Sequence, residues 1–382
     1  MVSPQKNGHI PLKTSTSSPS SVQLLIACVR PGAEAGREDA VAAQLSEATD
    51  WDRLLQLATH HRVRGPFCRG IRALPPDRVP PNVQEFRRST ARAAMLRNKF
   101  LIGEMGRVQS LLADDGIRSI SFKGPVLAYT VYRDGRYRWT RDIDLMVHPD
   151  AFSRATRLLT RDEYRSFWDL ERSALDRFGA YLKQQNTLVR GNAFAIDLHA
   201  SLTPIVHASG AEFEDLWGRS VQQTVEGTRV RTLRPRDRLL MLCQQAIKNR
   251  WNRLKYTCDI AECLWATEDL DWRALWDEAQ RTSQSRLLLT NLCIAREIFQ
   301  TPLPDFLRTE IEQNRRVQKI GTWGTNKLQS GLDSVGVRFS ERVWLYWTIQ
   351  DTVSHSVHYA GYSVVRNLWE QLQNARSALR GS

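Results

Sequence analysis

The heptapeptide Arg141-Asp142-Ile143-Asp144-Leu145-Met146-Val147 constrains the fold of this chain more than any other stretch. Its apolar residues recur with period two, the repeat of a β-strand. Ile143, Leu145 and Val147 therefore share one face, and Asp142, Asp144 and Met146 the other. Two carboxylates point the same way, roughly 6–7 Å apart along the strand. Such a pair repels itself, and neither group tolerates removal from water unless a cation lies beside it. An edge strand with two solvated aspartates is the simpler alternative; the flanking sequence weighs against it.

Upstream, Arg118 to Phe122 reads as a short strand, Lys123-Gly124 as a turn, and Pro125 as the opening of a helix, since proline suits a first helical turn. Strand, glycine turn and helix N-terminus together present free N–H groups and a positive dipole end to one spot, the makings of a phosphate site. Lys123 adds a point charge there. Downstream, NTLVRGNAFAIDLHASL reads as a hairpin turned by Gly191-Asn192. In its second strand Phe194, Ile196 and Leu198 share a face, which leaves Asp197 and His199 on the opposite one. A separate strand thus offers a third carboxylate.

In this order, Lys123-Gly124, Arg138, Asp142-Ile143-Asp144 followed by Leu-Met-Val, and Ile196-Asp197-Leu198-His199 resemble the uncharacterised nucleotidyltransferase family of the polymerase-beta-like superfamily. The likeness extends to Trp51-Asp52, to His61-Arg62-Val63, and to LLMLCQQAIKNRW and LKYTCDIAECL after the core, from about Val22 to Leu264. The turn is Lys-Gly where the superfamily usually has Gly-Gly or Gly-Ser, and Gln245 and Asn249 stand where family members often carry histidine. The resemblance implies that Asp142, Asp144 and Asp197 are catalytic and hold two Mg²⁺ ions. It implies that Lys123, Gly124 and Arg138 bind the nucleotide, with His199 and Lys248 as accessory candidates. The implied reaction is attack of an acceptor hydroxyl on the α-phosphate of an NTP, releasing pyrophosphate. Acceptors in such proteins include RNA, for which tRNA or another polyanion is a candidate here, a peptide or protein, and small molecules. A catalytically inactive nucleotide- or RNA-binding module of the same fold is the alternative, and a helical interaction protein a third reading.

Composition bounds the rest. With 382 residues the chain can bury sizeable cores, and 42% hydrophobic content with twelve tryptophans argues for a folded protein. A net charge of +13 favours acidic partners. Part of that charge lies at Arg133, Arg136, Arg138 and Arg141, and part at Lys248, Arg250, Arg253 and Lys255. No apolar run approaches the ~20 residues of a membrane span, and the Ser/Thr/Pro-rich start lacks a signal-peptide pattern; the expectation is a soluble cytoplasmic protein with no membrane partner. Six scattered cysteines without CxxC spacing suit buried reduced thiols. His355 and His358 lie at i, i+3 but lack a third ligand, so a surface or packing role is expected.

The expected fold class is α+β: a small mixed nucleotidyltransferase sheet core at 116–233, flanked by an N-terminal helical region at 22–115 and a C-terminal helical region at 234–382, after a disordered tail at 1–21. Helices are expected at Pro149–Leu159 and Ser173–Lys183 within the core, and Asp50 as the N-cap of the helix beginning WDRLLQLA.

Overall fold

The Asp-x-Asp stretch leads into the central strand of a sheet with seven strands among the described residues. The computed structural model describes residues 19–32, 34–166, 178, 184–202, 213–330 and 339–380. The strands are β1 (Ser119–Ser121), β2 (Ile143–Val147), β3 (Arg165–Ser166), β4 (Gln185–Arg190), β5 (Phe194–His199), β6 (Val221–Val225) and β7 (Thr228–Thr232). They are ordered β3-β4-β5-β2-β1-β7-β6. β2 runs parallel to β5 and β1 parallel to β7, while the other neighbouring pairs are antiparallel. The expected mixed sheet within an α+β fold is what the chain adopts.

Alternation along β2 decides what covers each face. Ile143, Leu145 and Val147 join a core with Ile196 and Leu198 of β5, and with Leu101, Ile102, Met105, Val108 and Leu112 of the helix Pro81–Asp114. Those helical positions recur at the three- and four-residue spacing of one helix face, and so the 34-residue helix lies along the sheet. Met146, on the opposite face of β2, joins Ile120 and Phe122 in a second core. That core also takes in buried residues from the helix Pro19–Val29, from Pro235–Lys248 and Leu254–Ala266, and from Ser285–Phe299. Helical sequence from both ends of the chain therefore packs into one apolar cluster on the face of the sheet to which the aspartates point.

Local signals carry through. Asp50 caps the helix Trp51–His60, its carboxylate accepting the Arg53 N–H at 2.9 Å. The hairpin turns at Gly191, with φ +56°. The helix expected at Pro149–Leu159 is a 3₁₀ turn at Pro149–Ala151 running into an α-helix at Phe152–Arg161. Apart from position 178, the helix expected at 173–183 lies outside the described residues. All six cysteines are buried free thiols. Trp251, in the turn between the helices Pro235–Lys248 and Leu254–Ala266, is fully buried and donates its indole N–H to Asn291 Oδ1 at 3.0 Å. Among the described residues no helix is long and apolar enough to cross a membrane.

Candidate functional site

Parallel pairing of β2 with β5 places Asp144 directly beside Asp197 and Met146 beside His199. Side chains opposite one another in a ladder project from the same face, so two strands separated by more than fifty residues deliver Asp144, Asp197 and His199 to one spot. The ligand-capable atoms of these three residues lie within 4.8 Å of one another, a group able to hold a metal ion. Asp142, one position before β2, stands next to them without belonging to that group.

The electrostatics of the cluster invite a cation. Burial, together with repulsion from Asp144 and Asp197, raises the Asp142 carboxyl to a pKa of about 6. Burial would raise Asp144 too, but Lys123 and His199 outweigh it and hold its carboxyl well below the usual range. Lys123 Nζ donates to Asp144 Oδ1 at 2.5 Å, and His199 Nε2 lies 3.3 Å from the same oxygen. His199 also meets Phe122 edge to face, with ring centroids 4.9 Å apart. Thr187, opposite Asp197 on β4, donates its hydroxyl to Asp197 Oδ1 at 2.6 Å. Lys123 is thus one cation set among three carboxylates, a donor set of hard oxygens that fits a divalent ion.

Gly124 brings the turn against β2. Its φ is +66°, and a Cβ there would sit 2.8 Å from the Asp142 carbonyl oxygen. Both the left-handed backbone and the close approach require glycine. Gly124→Ala is expected to lose about 1–3 kcal/mol of stability and to displace Asp142, read as a lower urea midpoint; an unchanged midpoint would contradict the tight turn.

Arg138 lies at the site but faces inward. Its guanidinium donates to Asp259 Oδ1 and Oδ2 at 2.8 and 3.1 Å, to the Gly124 carbonyl at 2.8 Å and to Thr140 Oγ1 at 3.3 Å. It clamps the Lys123-Gly124 turn to the helix Leu254–Ala266. The same helix is held from the N-terminal side by His61, whose Nδ1 accepts the Leu254 N–H at 3.2 Å and whose carbonyl accepts the Lys255 N–H at 3.2 Å.

These contacts enclose a cavity of about 710 Å³, with Asp142, Asp144, Asp197, Lys123, Gly124, Arg138 and Lys248 all in its wall. Burial, and the nearby Lys123 and Arg366, bring the Lys248 ammonium down to a pKa of about 8. Gln245 and Asn249 line the same wall. Lys255, part of the second basic cluster of the sequence, lines the cavity too, and so do Arg62, Tyr256 and Asp259, to which the sequence motifs assign no site role. Asp259 carried a usable signal, since a carboxylate within the buried run Cys258 to Cys263 requires a buried cation.

A model of the uncharacterised nucleotidyltransferase family matches residues 47–300. No match is found among curated proteins or among solved structures. The matched span takes in all seven strands, the Lys123-Gly124 turn and every cavity residue named above; the chain belongs to the uncharacterised nucleotidyltransferase family.

Proposed function

We propose that this chain is a Mg²⁺-dependent nucleotidyltransferase that moves a nucleoside monophosphate from an NTP to an acceptor hydroxyl and releases pyrophosphate. The observation that carries this reading is the in-register pair Asp144 and Asp197 on parallel strands, opening with Asp142 into a basic cavity beside the Gly124 turn. Asp144 and Asp197 would hold the metal, with Asp142 completing the carboxylate set for two Mg²⁺ ions and His199 orienting Asp144. When bound, such ions neutralise triphosphate charge and lower the pKa of an attacking hydroxyl.

The chain's own groups supply the rest. Lys123 already neutralises Asp144 and stands in the wall where phosphate oxygens would lie. Thr187 fixes the Asp197 carboxylate by its hydrogen bond, so that Asp197 faces the acceptor hydroxyl in one orientation. Lys248 adds positive charge on the Asp144 and Asp197 side. Arg138, committed to Asp259 and the Gly124 carbonyl, acts by holding the turn in place and does not itself meet the nucleotide.

Binding is the first test. Titration calorimetry with a non-transferable α,β-methylene NTP is expected to show saturable binding with Mg²⁺ and a loss of at least about tenfold in EDTA, since Mg²⁺ and phosphate oxygens are bound together. Equal binding with and without the ion would contradict the metal assignment. Binding without transfer to any acceptor would favour the inactive nucleotide-binding module.

A further inference from the structure

The cavity wall carries seven basic side chains against four carboxylates, a formal surplus of three positive charges. Two divalent cations cancel the roughly four negative charges of a nucleoside triphosphate, so nucleotide and metal together leave that surplus unmatched. Three of the basic groups are matched internally, Lys123 by Asp144 and both Arg138 and Lys255 by Asp259. Arg62, Arg64, Arg141 and Lys248 have no carboxylate within ion-pair distance among the described residues. Arg253, two residues from the cavity-lining Lys255 and close enough to Arg62 to feel its charge, is bonded among the described residues to neutral groups: His60 Nε2 at 3.0 Å and the Asn252 carbonyl at 2.9 Å. Like charges gathered without a counter-ion are a site for an anion that the nucleotide does not supply.

The aromatic residues narrow the chemistry. Trp139 and Tyr256 line the same cavity. The Arg64 guanidinium lies 5.6 Å from the centroid of the Trp139 ring, and the Lys255 ammonium 5.4 Å from that of the Tyr256 ring. Cations interleaved with aromatic rings suit a strand whose phosphates alternate with flat bases, each stacked base contributing about 1–3 kcal/mol. An acidic peptide would use the charges and leave the rings idle. Arg62 and Arg141 are exposed whereas Asp144 is buried, so a chain terminus can place its hydroxyl at the carboxylates while its phosphates trail outward.

We propose that the acceptor is the 3′ end of a single-stranded nucleic acid, its backbone held by Arg62, Arg141 and Arg253 and its terminal bases by Trp139 and Tyr256; this rests on the nucleotidyl-transfer reading. The test is fluorescence anisotropy with a labelled ten-nucleotide RNA bearing a free 3′-hydroxyl, in Mg²⁺ and the α,β-methylene NTP, across a salt series. A labelled glutamate-rich peptide serves as the second arm. Three phosphate contacts predict a log–log salt slope near −2, at roughly 0.7 per contact for a single strand. Arg62→Ala with Arg141→Ala is expected to reduce the slope by about 1.4, and the Lys replacements to restore it, because the contact is one of charge. Both positions are exposed, so the variants retain the fold.

Nucleotide affinity measured on the same samples separates the two levels. RNA binding that is absent or flat with salt while the NTP still binds would overturn the acceptor assignment and leave nucleotidyl transfer standing. Tighter binding of the peptide than of the RNA would do the same, as would alanine variants that lose the NTP but keep the RNA slope. Loss of both ligands in the wild type would overturn the underlying reading.

Discussion

Asp197→Asn is expected to reduce nucleotidyl transfer by at least about 10³-fold, which corresponds to several kcal/mol at the transition state, with almost no change in stability. The carboxylate is partly buried in the cavity wall, and its one side-chain hydrogen bond among the described residues is accepted from Thr187. An asparagine oxygen can accept that bond, so the fold loses little; what disappears is the charge beside Asp144. Asp144→Asn should be as inactive but less informative, because it removes the partner of the Lys123 ammonium and so disturbs a buried ion pair. Single-turnover transfer and thermal melting measured on the same preparation separate the cases. Asp197→Asn with wild-type transfer would remove β5 from the chemistry.

The second large effect is on stability. Asp259→Ala is expected to cost about 3–5 kcal/mol, the usual consequence of leaving a buried charge without its partner. The carboxylate accepts from Arg138, from Lys255 at 3.3 Å and from the Tyr132 hydroxyl at 2.7 Å, and these form the joint between the Lys123-Gly124 turn and the helix Leu254–Ala266. Arg138→Ala should cost less, because Lys255 and Tyr132 still satisfy Asp259. Replacing both partners with apolar residues, Arg138→Met with Asp259→Leu, should recover much of the stability while leaving the turn without its clamp and nucleotide binding weak. Urea midpoints for the three variants give the order. An Arg138→Ala protein as stable as wild type but unable to bind nucleotide would make Arg138 a direct nucleotide ligand.

The sheet was legible because its strands obey a simple rule. Period-two alternation divides Ile143 to Val147 between two cores, and in Phe194 to His199 it gives Phe194, Ile196 and Leu198 to one core and leaves Asp197 and His199 to the carboxylate cluster, while Gly191 and Pro125 mark a turn and a helix start. The carboxylates were legible for the same reason, since their type and face are local properties. Register was not: that Asp144 meets Asp197, and that His199 reaches the Asp144 oxygen, depends on a parallel pairing between segments 53 residues apart. Nor was the far wall of the cavity, which Arg62 and Lys255 enter because His61 fastens the start of one helix to the end of another. Arg138 shows the limit most plainly. Its place near the turn could be read from the chain, but its commitment to Asp259, 121 residues later, belongs to tertiary packing.

Transfer chemistry itself is tested most directly by two parallel incubations of the wild type with Mg²⁺ and an extract containing RNA and protein, one with each NTP labelled at the α-phosphate and one with the label at the γ-phosphate, beside the Asp142→Ala/Asp144→Ala protein. The account predicts that α-label enters a macromolecular product, that γ-label leaves as pyrophosphate, and that the variant transfers neither. Entry of γ-label into the product, or α-label transfer that persists in the variant, would contradict it.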